Sequence, residues 1–90
     1  MSVKDELREM LRDKLVEDIL RFFYNNQGSV DSASGVAAWV HDDRKKVRRT
    51  LDMLAEIKVL KKDSKGATKG YCYTRDEKIM KVVQDLMRDV

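Results

Sequence analysis

Arg44, Lys45, Lys46, Arg48 and Arg49 place five cations within six consecutive residues, interrupted only by Val47. Side chains of these types at this density offer charge-assisted hydrogen bonds to an anion, the arginines through a planar fork and the lysines as point charges. The surrounding stretch, Asp42 to Ile57, reads DDRKKVRRTLDMLAEI. At about 100° per residue, Val47, Leu51 and Leu54 share one narrow apolar stripe; Lys45 and Arg49 point away from it, with Lys46 and Arg48 on its shoulders. The spacing predicts a helix that buries one face and is cationic on every other face of its first half. Asp42 or Asp43 is the expected N-cap, and the acidic Asp52 and Glu56 enter only in the second half.

Other chemistries lack their residues. His41 and Cys72 are the only histidine and the only cysteine, which rules out a zinc site built from those ligand types and an internal disulfide framework. No nucleophile has a nearby histidine base, no glycine-rich phosphate loop opens a helix, and no ligand spacing suits a catalytic metal. An enzyme is therefore not expected, and neither is a cofactor. His41 falls in a turn between helices and is assigned no chemistry. Cys72 alternates with Tyr71 and Tyr73, so tyrosines facing the core would turn the thiol outward, where a lone thiol without a basic neighbour is expected to be idle, a redox switch being the alternative.

Ninety residues make one domain, large enough to bury roughly two-thirds of the surface its unfolded chain exposes. The net charge is only +3, but it is unevenly spread. Residues 1–41 carry five basic and seven acidic side chains, residues 42–75 eleven and five, and residues 76–90 three and four. A basic middle between slightly acidic ends reads as a surface for a polyanion. Apolar runs fall far short of the about 20 residues that span a bilayer, and the start, MSVKDELREM, is charged where a secretory signal would be apolar. A soluble, cytoplasmic protein is expected.

The elements that must position the basic helix follow from the pattern on either side of it. Val3 to Tyr24 contains no Gly or Pro and reads as one long helix whose apolar face changes direction partway. Val3, Leu7, Met10 and Leu11 lie on one side, and Leu15, Val16, Ile19, Phe22 and Phe23 on another. Asn25, Asn26, Gln27 and Gly28 supply a stop, and Ser29 and Val30 an extended link. A short helix from about Ser32 to Val40, capped by Asp31, Ser32 or Ser34, turns Val36, Ala37 and Val40 inward. Trp39 is expected to anchor the edge of this core. After Ile57 the spacing becomes extended: Val59 to Lys62 and Tyr71 to Thr74 read as the two strands of a hairpin, joined by DSKGATKG with Lys65 and Lys69 at its tip. Thr74 followed by Glu77 is a capping-box pattern, so a last helix is expected to begin there. It carries Ile79, Val82, Val83, Leu86 and Val90 in one stripe.

This order, with Val30, Val36, Ala37, Val40, Val47, Arg48, Leu51, Leu54, Val59 and Leu60 at its apolar and contact positions and KKDSKGATKGYCYT after them, resembles the winged helix-turn-helix. Residues 15–75 carry the likeness, which is greatest to the small bacterial and archaeal regulators of the ArsR and MarR kind. The sequence departs from that pattern at Ile57 and Lys58, where a glycine commonly ends the second helix of the motif, and at Asp42 and Asp43, where a small or hydroxyl residue often begins it. The resemblance implies a mainly α fold with a small β-hairpin and long flanking helices. It divides the chain into a helix-turn-helix over 30–57 and a wing over 58–74, with 1–14 and 76–90 as dimerisation helices.

What the resemblance implies for function is sequence-specific binding of double-stranded DNA by a homodimeric transcriptional regulator. The helix at about 43–57 would enter the major groove, with Arg44, Lys45, Lys46, Arg48 and Arg49 sharing the base and phosphate contacts. Lys61, Lys62, Lys65 and Lys69 of the wing would follow the backbone or minor groove, and the amides near Ser32 and Ser34 would meet a phosphate. Val3, Leu7, Met10, Leu11, Ile79, Val82, Val83, Leu86 and Val90 would form the dimer seam. An effector is left unknown. Pairing of Arg48 and Arg49 with Asp52 is the alternative use of those arginines, while Lys45 and Lys46 have no acid one turn further on. A protein-interaction or assembly module of the same shape is the alternative for the whole, served by Trp39, Met53 and the first stripe; RNA binding is weaker, because stacking aromatics are few.

Overall fold

Among the described residues, every helix starts on a side chain that accepts from its otherwise unpaired first amides. In the computed structural model, which describes residues 2–63 and 70–88, Ser2 caps α1 (Val3–Met10) and Asp13 caps α2 (Lys14–Asn25). Ser32 caps α3 (Ala33–Val40) and Asp43 caps α4 (Arg44–Glu56). The carboxylate of Asp76 accepts from the amides of Lys78 at 2.9 Å and Ile79 at 3.3 Å and so opens α5 (Glu77–Arg88). With three short strands, β1 (Val30–Asp31), β2 (Leu60–Asp63) and β3 (Gly70–Tyr73), the result is a mainly α fold carrying one small antiparallel sheet.

Two expected boundaries move. The single helix expected from Val3 to Tyr24 is broken at residues 11–13, where the amides of Arg12 and Asp13 bond back to the carbonyls of Glu9 and Met10 and Asp13 starts a new helix by accepting from Leu15 at 2.9 Å. The two apolar stripes differ in direction, and one straight helix would have left the first of them uncovered. The break lets α1 and α2 take separate orientations, so that Leu7 and Ile19, both 0 % exposed, reach the same core. The last helix begins at Asp76 rather than Thr74, because the Thr74 amide is still bonded to the Val59 carbonyl at 3.1 Å, continuing the sheet. The Thr74 hydroxyl instead accepts from the Asp76 amide at 3.1 Å and turns the chain into the helix.

The sheet has the order β1-β3-β2. Leu60 lies opposite Tyr73, Lys61 opposite Cys72 and Lys62 opposite Tyr71, while Val30 and Asp31 pair with Cys72 and Tyr71 on the other edge of β3. The hairpin was expected; the third strand, in place of a mere link, was not. Gly70 lets that third strand approach closely, since a Cβ there would stand 2.6 Å from Cγ1 of Val30 and the valine side chain or β1 would have to shift. As alternation demands, Tyr71 and Tyr73 are buried and Cys72 lies on the opposite side, only partly covered.

α4 lies on α2, α3 and β2, and α1 on α5. Val47, Leu51 and Leu54 of α4 are all 0 % exposed. Burying such side chains is worth roughly 1.5–3 kcal/mol each, against about 0–1 kcal/mol for an exposed ion pair, so packing decides which way the helix faces. Leu7, Val83 and Leu86, expected in a dimer seam, are covered by the chain's own fold and are not available to a partner. Val3, Met10, Leu11, Ile79 and Val82 are half-buried against the same core, and Val90 lies outside the described residues. Trp39 is 64 % exposed, with its ring 5.7 Å from that of Phe22 between centres, so it is not the core anchor expected of it.

α4 ends without glycine. Lys58 takes the left-handed conformation, φ 71°, while the Lys58 and Val59 amides donate to the carbonyls of Ala55 and Leu54. A side chain in that region costs about 1–2 kcal/mol, of which glycine's larger entropy loss on folding would return part. Lys58→Gly is expected to stabilise the fold by about 0.5–1 kcal/mol, raising the thermal midpoint by roughly 2–8 °C followed by circular dichroism, whereas Lys58→Ala leaves it unchanged.

Candidate nucleic-acid interface

The cationic half of α4 is oriented by the stripe beneath it and started by the acids before it. Asp43 accepts from the Lys46 amide at 3.1 Å, and Asp42 accepts from the Asp43 amide at 2.6 Å, so both aspartates act at the helix start. The Thr50 hydroxyl, almost buried, donates to the Lys46 carbonyl at 3.0 Å and exposes no polar atom on the packed side. Arg44, Lys45, Lys46, Arg48 and Arg49 are then all exposed along the outer surface.

Their partners differ from those expected. Lys46 lies 3.7 Å from Asp42, one turn before it rather than after, so it does have a carboxylate neighbour. The pair is exposed, and such pairs contribute little. Arg48 and Arg49 form no salt bridge with Asp52; among the described residues Arg44, Lys45, Arg48 and Arg49 form no salt bridge at all. Arg44 instead reaches back to α3, with Nη1 3.5 Å from the Ser34 hydroxyl, so two residues expected at separate DNA contacts stand side by side. Ser34 is not the cap of α3; Ser32 is, accepting from the Gly35 amide at 3.1 Å.

Asp52 has a different task. The Tyr71 hydroxyl donates to its carboxylate at 2.6 Å, and Lys62 Nζ approaches the same oxygen at 3.3 Å. Both strands of the hairpin are thereby fastened to the flank of α4. The hydrogen bond from Tyr71 holds the Asp52 carboxyl below its usual range, with Lys62 and the nearby charge of Arg48 adding to it. Burial, reinforced by the negative charge of Asp52, pushes the Tyr71 phenol up to about 12, and Arg48 opposes that rise. Sequence reasoning missed this contact; the one hint was an acid in the middle of a basic helix, on the flank between its buried and outer faces.

Alternation along β2 separates the two lysines at the base of the hairpin. Lys62 turns toward α4 and Asp52, while Lys61, opposite Cys72, belongs to the other face of the sheet with Val30. Lys62 therefore extends the basic surface of α4 and Lys61 lies apart from it. Lys65 and Lys69 fall outside the described residues. Cys72 donates weakly to the Lys61 carbonyl, at 3.7 Å. Among the described residues no group of three or more His, Cys, Asp or Glu is placed to hold a metal ion, and no helix is long and apolar enough to cross a membrane. The arrangement offers a row of exposed guanidinium and ammonium groups on a rigid helix, continued by one strand lysine.

No family model matches the chain, and no curated protein matches it either.

The two buried tyrosines make opposite expectations. Tyr71 donates a charge-assisted hydrogen bond, so Tyr71→Phe should lower the unfolding free energy by about 1–2 kcal/mol. The Tyr73 hydroxyl is buried against Tyr24 with no hydrogen-bond partner, so Tyr73→Phe should be neutral or stabilising in the same denaturant titration. Tyr73, like Tyr71, is pushed up to about 12, by burial and by Tyr24. A folded-state value above the ordinary 10 means that the native form keeps its proton while the unfolded chain loses it. Stability is therefore full below about pH 10 and falls as pH rises from 10 toward 12. That loss should become shallower in either Tyr→Phe variant.

Proposed function

We propose that this chain is a winged helix-turn-helix protein that binds double-stranded DNA, with α4 as the helix that enters the major groove. One observation carries the reading: Arg44, Lys45, Arg48 and Arg49 are exposed on a helix whose opposite face is fully buried, and among the described residues none of them forms a salt bridge. The major groove of B-DNA, about 12 Å wide, admits one such helix. Arginine forks at Arg48 and Arg49 suit guanine edges, where a well-made pair discriminates by roughly 1–3 kcal/mol. Lys45 and Lys46 suit phosphates, and Arg44 beside Ser34 forms a second phosphate contact from the start of α3.

Lys62, fastened to Asp52, brings the base of the wing to the same side, where Lys65 and Lys69 would follow the backbone. One helix reads only a few base pairs, so the proposal includes a twofold dimer addressing half-sites about one helical turn apart. Leu11, Ile79 and Val82 are among the half-buried side chains available to its seam. Regulation of transcription is the role that such a dimer serves. A protein-interaction module is the second reading, favoured by the 64 % exposure of Trp39.

A gel shift at low salt with mixed duplex DNA separates the two: retention at micromolar protein is expected, and its absence favours the interaction module. In that assay Lys45→Ala with Arg49→Ala should flatten the log-log salt dependence of binding by about two units if both side chains neutralise phosphates. An unchanged slope and affinity would remove both from the interface.

A further inference from the structure

α1 packs on α5, and an open cleft of about 690 Å³ remains between it and the C-terminal end of α4. The cleft is lined with Val3, Met10, Met53 and Ile57, and Met53 is 45 % exposed. Two of these four are methionines, whose unbranched, polarisable side chains adapt to the shape laid against them. The rim is acidic: Glu6, Glu9 and Glu56 stand around the apolar floor against one ammonium group, Lys58. Glu9 is engaged by Arg12 at 3.0 Å, whereas Glu6 and Glu56 have no salt-bridge partner among the described residues. In a chain of net charge +3, this is a local reversal of sign, on the half of α4 that the cations do not occupy.

An apolar floor inside an acidic rim selects its occupant by both properties. A second copy docked symmetrically would set carboxylates against carboxylates, which disfavours it. We infer that the cleft is the docking site for a short amphipathic helix of a partner protein, carrying two apolar anchors one turn apart and flanking lysines or arginines. Helix-in-groove recognition uses this pattern of anchors, and the rim charges select the sign of the flanks. The inference does not depend on DNA binding, because the cleft shares no side chain with the basic surface.

The test is an NMR titration of the full chain, nitrogen-15 labelled, with a synthetic helical peptide bearing leucines at i and i+4 and lysines on both flanks. Two control peptides replace the lysines by glutamates or the leucines by serines. The amides of Met10, Met53 and Ile57 should shift saturably with the lysine peptide, and affinity should fall about tenfold or more with either control and with Met53→Ser. Met53 is solvent-exposed, so the variant is expected to keep the parent circular dichroism spectrum, and Glu6→Gln with Glu56→Gln gives a second, polar route to the same loss. No saturable shift at millimolar peptide, equal binding of the glutamate peptide, or shifts spread away from the cleft would overturn the proposal. Shifts at these amides that depend on protein concentration alone would also overturn it, assigning the cleft to a second copy.

Discussion

The burial of Val47, Leu51 and Leu54 is the constraint from which the rest follows. With three side chains of one helix completely covered, α4 cannot rotate without opening cavities, and a lost leucine side chain in such a position typically costs about 2–5 kcal/mol. No combination of the exposed charges on the helix approaches that figure. The cations face outward because the leucines face inward. A surface composed in this way is already oriented before any ligand arrives, which spares the ordering that a flexible basic segment would need on binding.

The hairpin is held to that helix by polar contacts as well as by packing. Tyr71 is buried on β3, yet its hydroxyl emerges beside the carboxylate of Asp52, and Lys62 closes on the same oxygen from β2. One acid in the second half of a basic helix thus joins three elements. Asp52 lies within one turn of Arg48 and Arg49, but the contacts it makes through Oδ1 go to the sheet. Arg48 remains near enough to influence both groups electrostatically while forming no ion pair.

The two ends of the chain serve the core more than the sequence pattern implies. Breaking the first helix at residues 11–13 turns α1 onto α5, so Leu7 and Val83 are covered within the chain. The same turn separates α1 from the end of α4 and leaves Val3 and Met10 facing Met53 across an open cleft. Coverage of one apolar stripe and exposure of another are consequences of one change of direction.

Local regularities were legible in the sequence. The stripe of α4, its aspartate cap, the alternation that sets Tyr71 and Tyr73 on one side and Cys72 on the other, and the apolar face of the last helix all depend on residues within about four positions of one another, where helical and strand periods act. The exposure of the five cations followed from the same periodicity. Only the tertiary structure decided that Asp52 meets Tyr71, 19 residues away, that β1 joins the hairpin as a third strand, that Leu7 is covered by the chain's own last helix, and that Trp39 stays in solvent. Those outcomes depend on where separate elements come to rest against one another. Helical and strand periods state which side of an element is apolar and leave open which neighbour covers it.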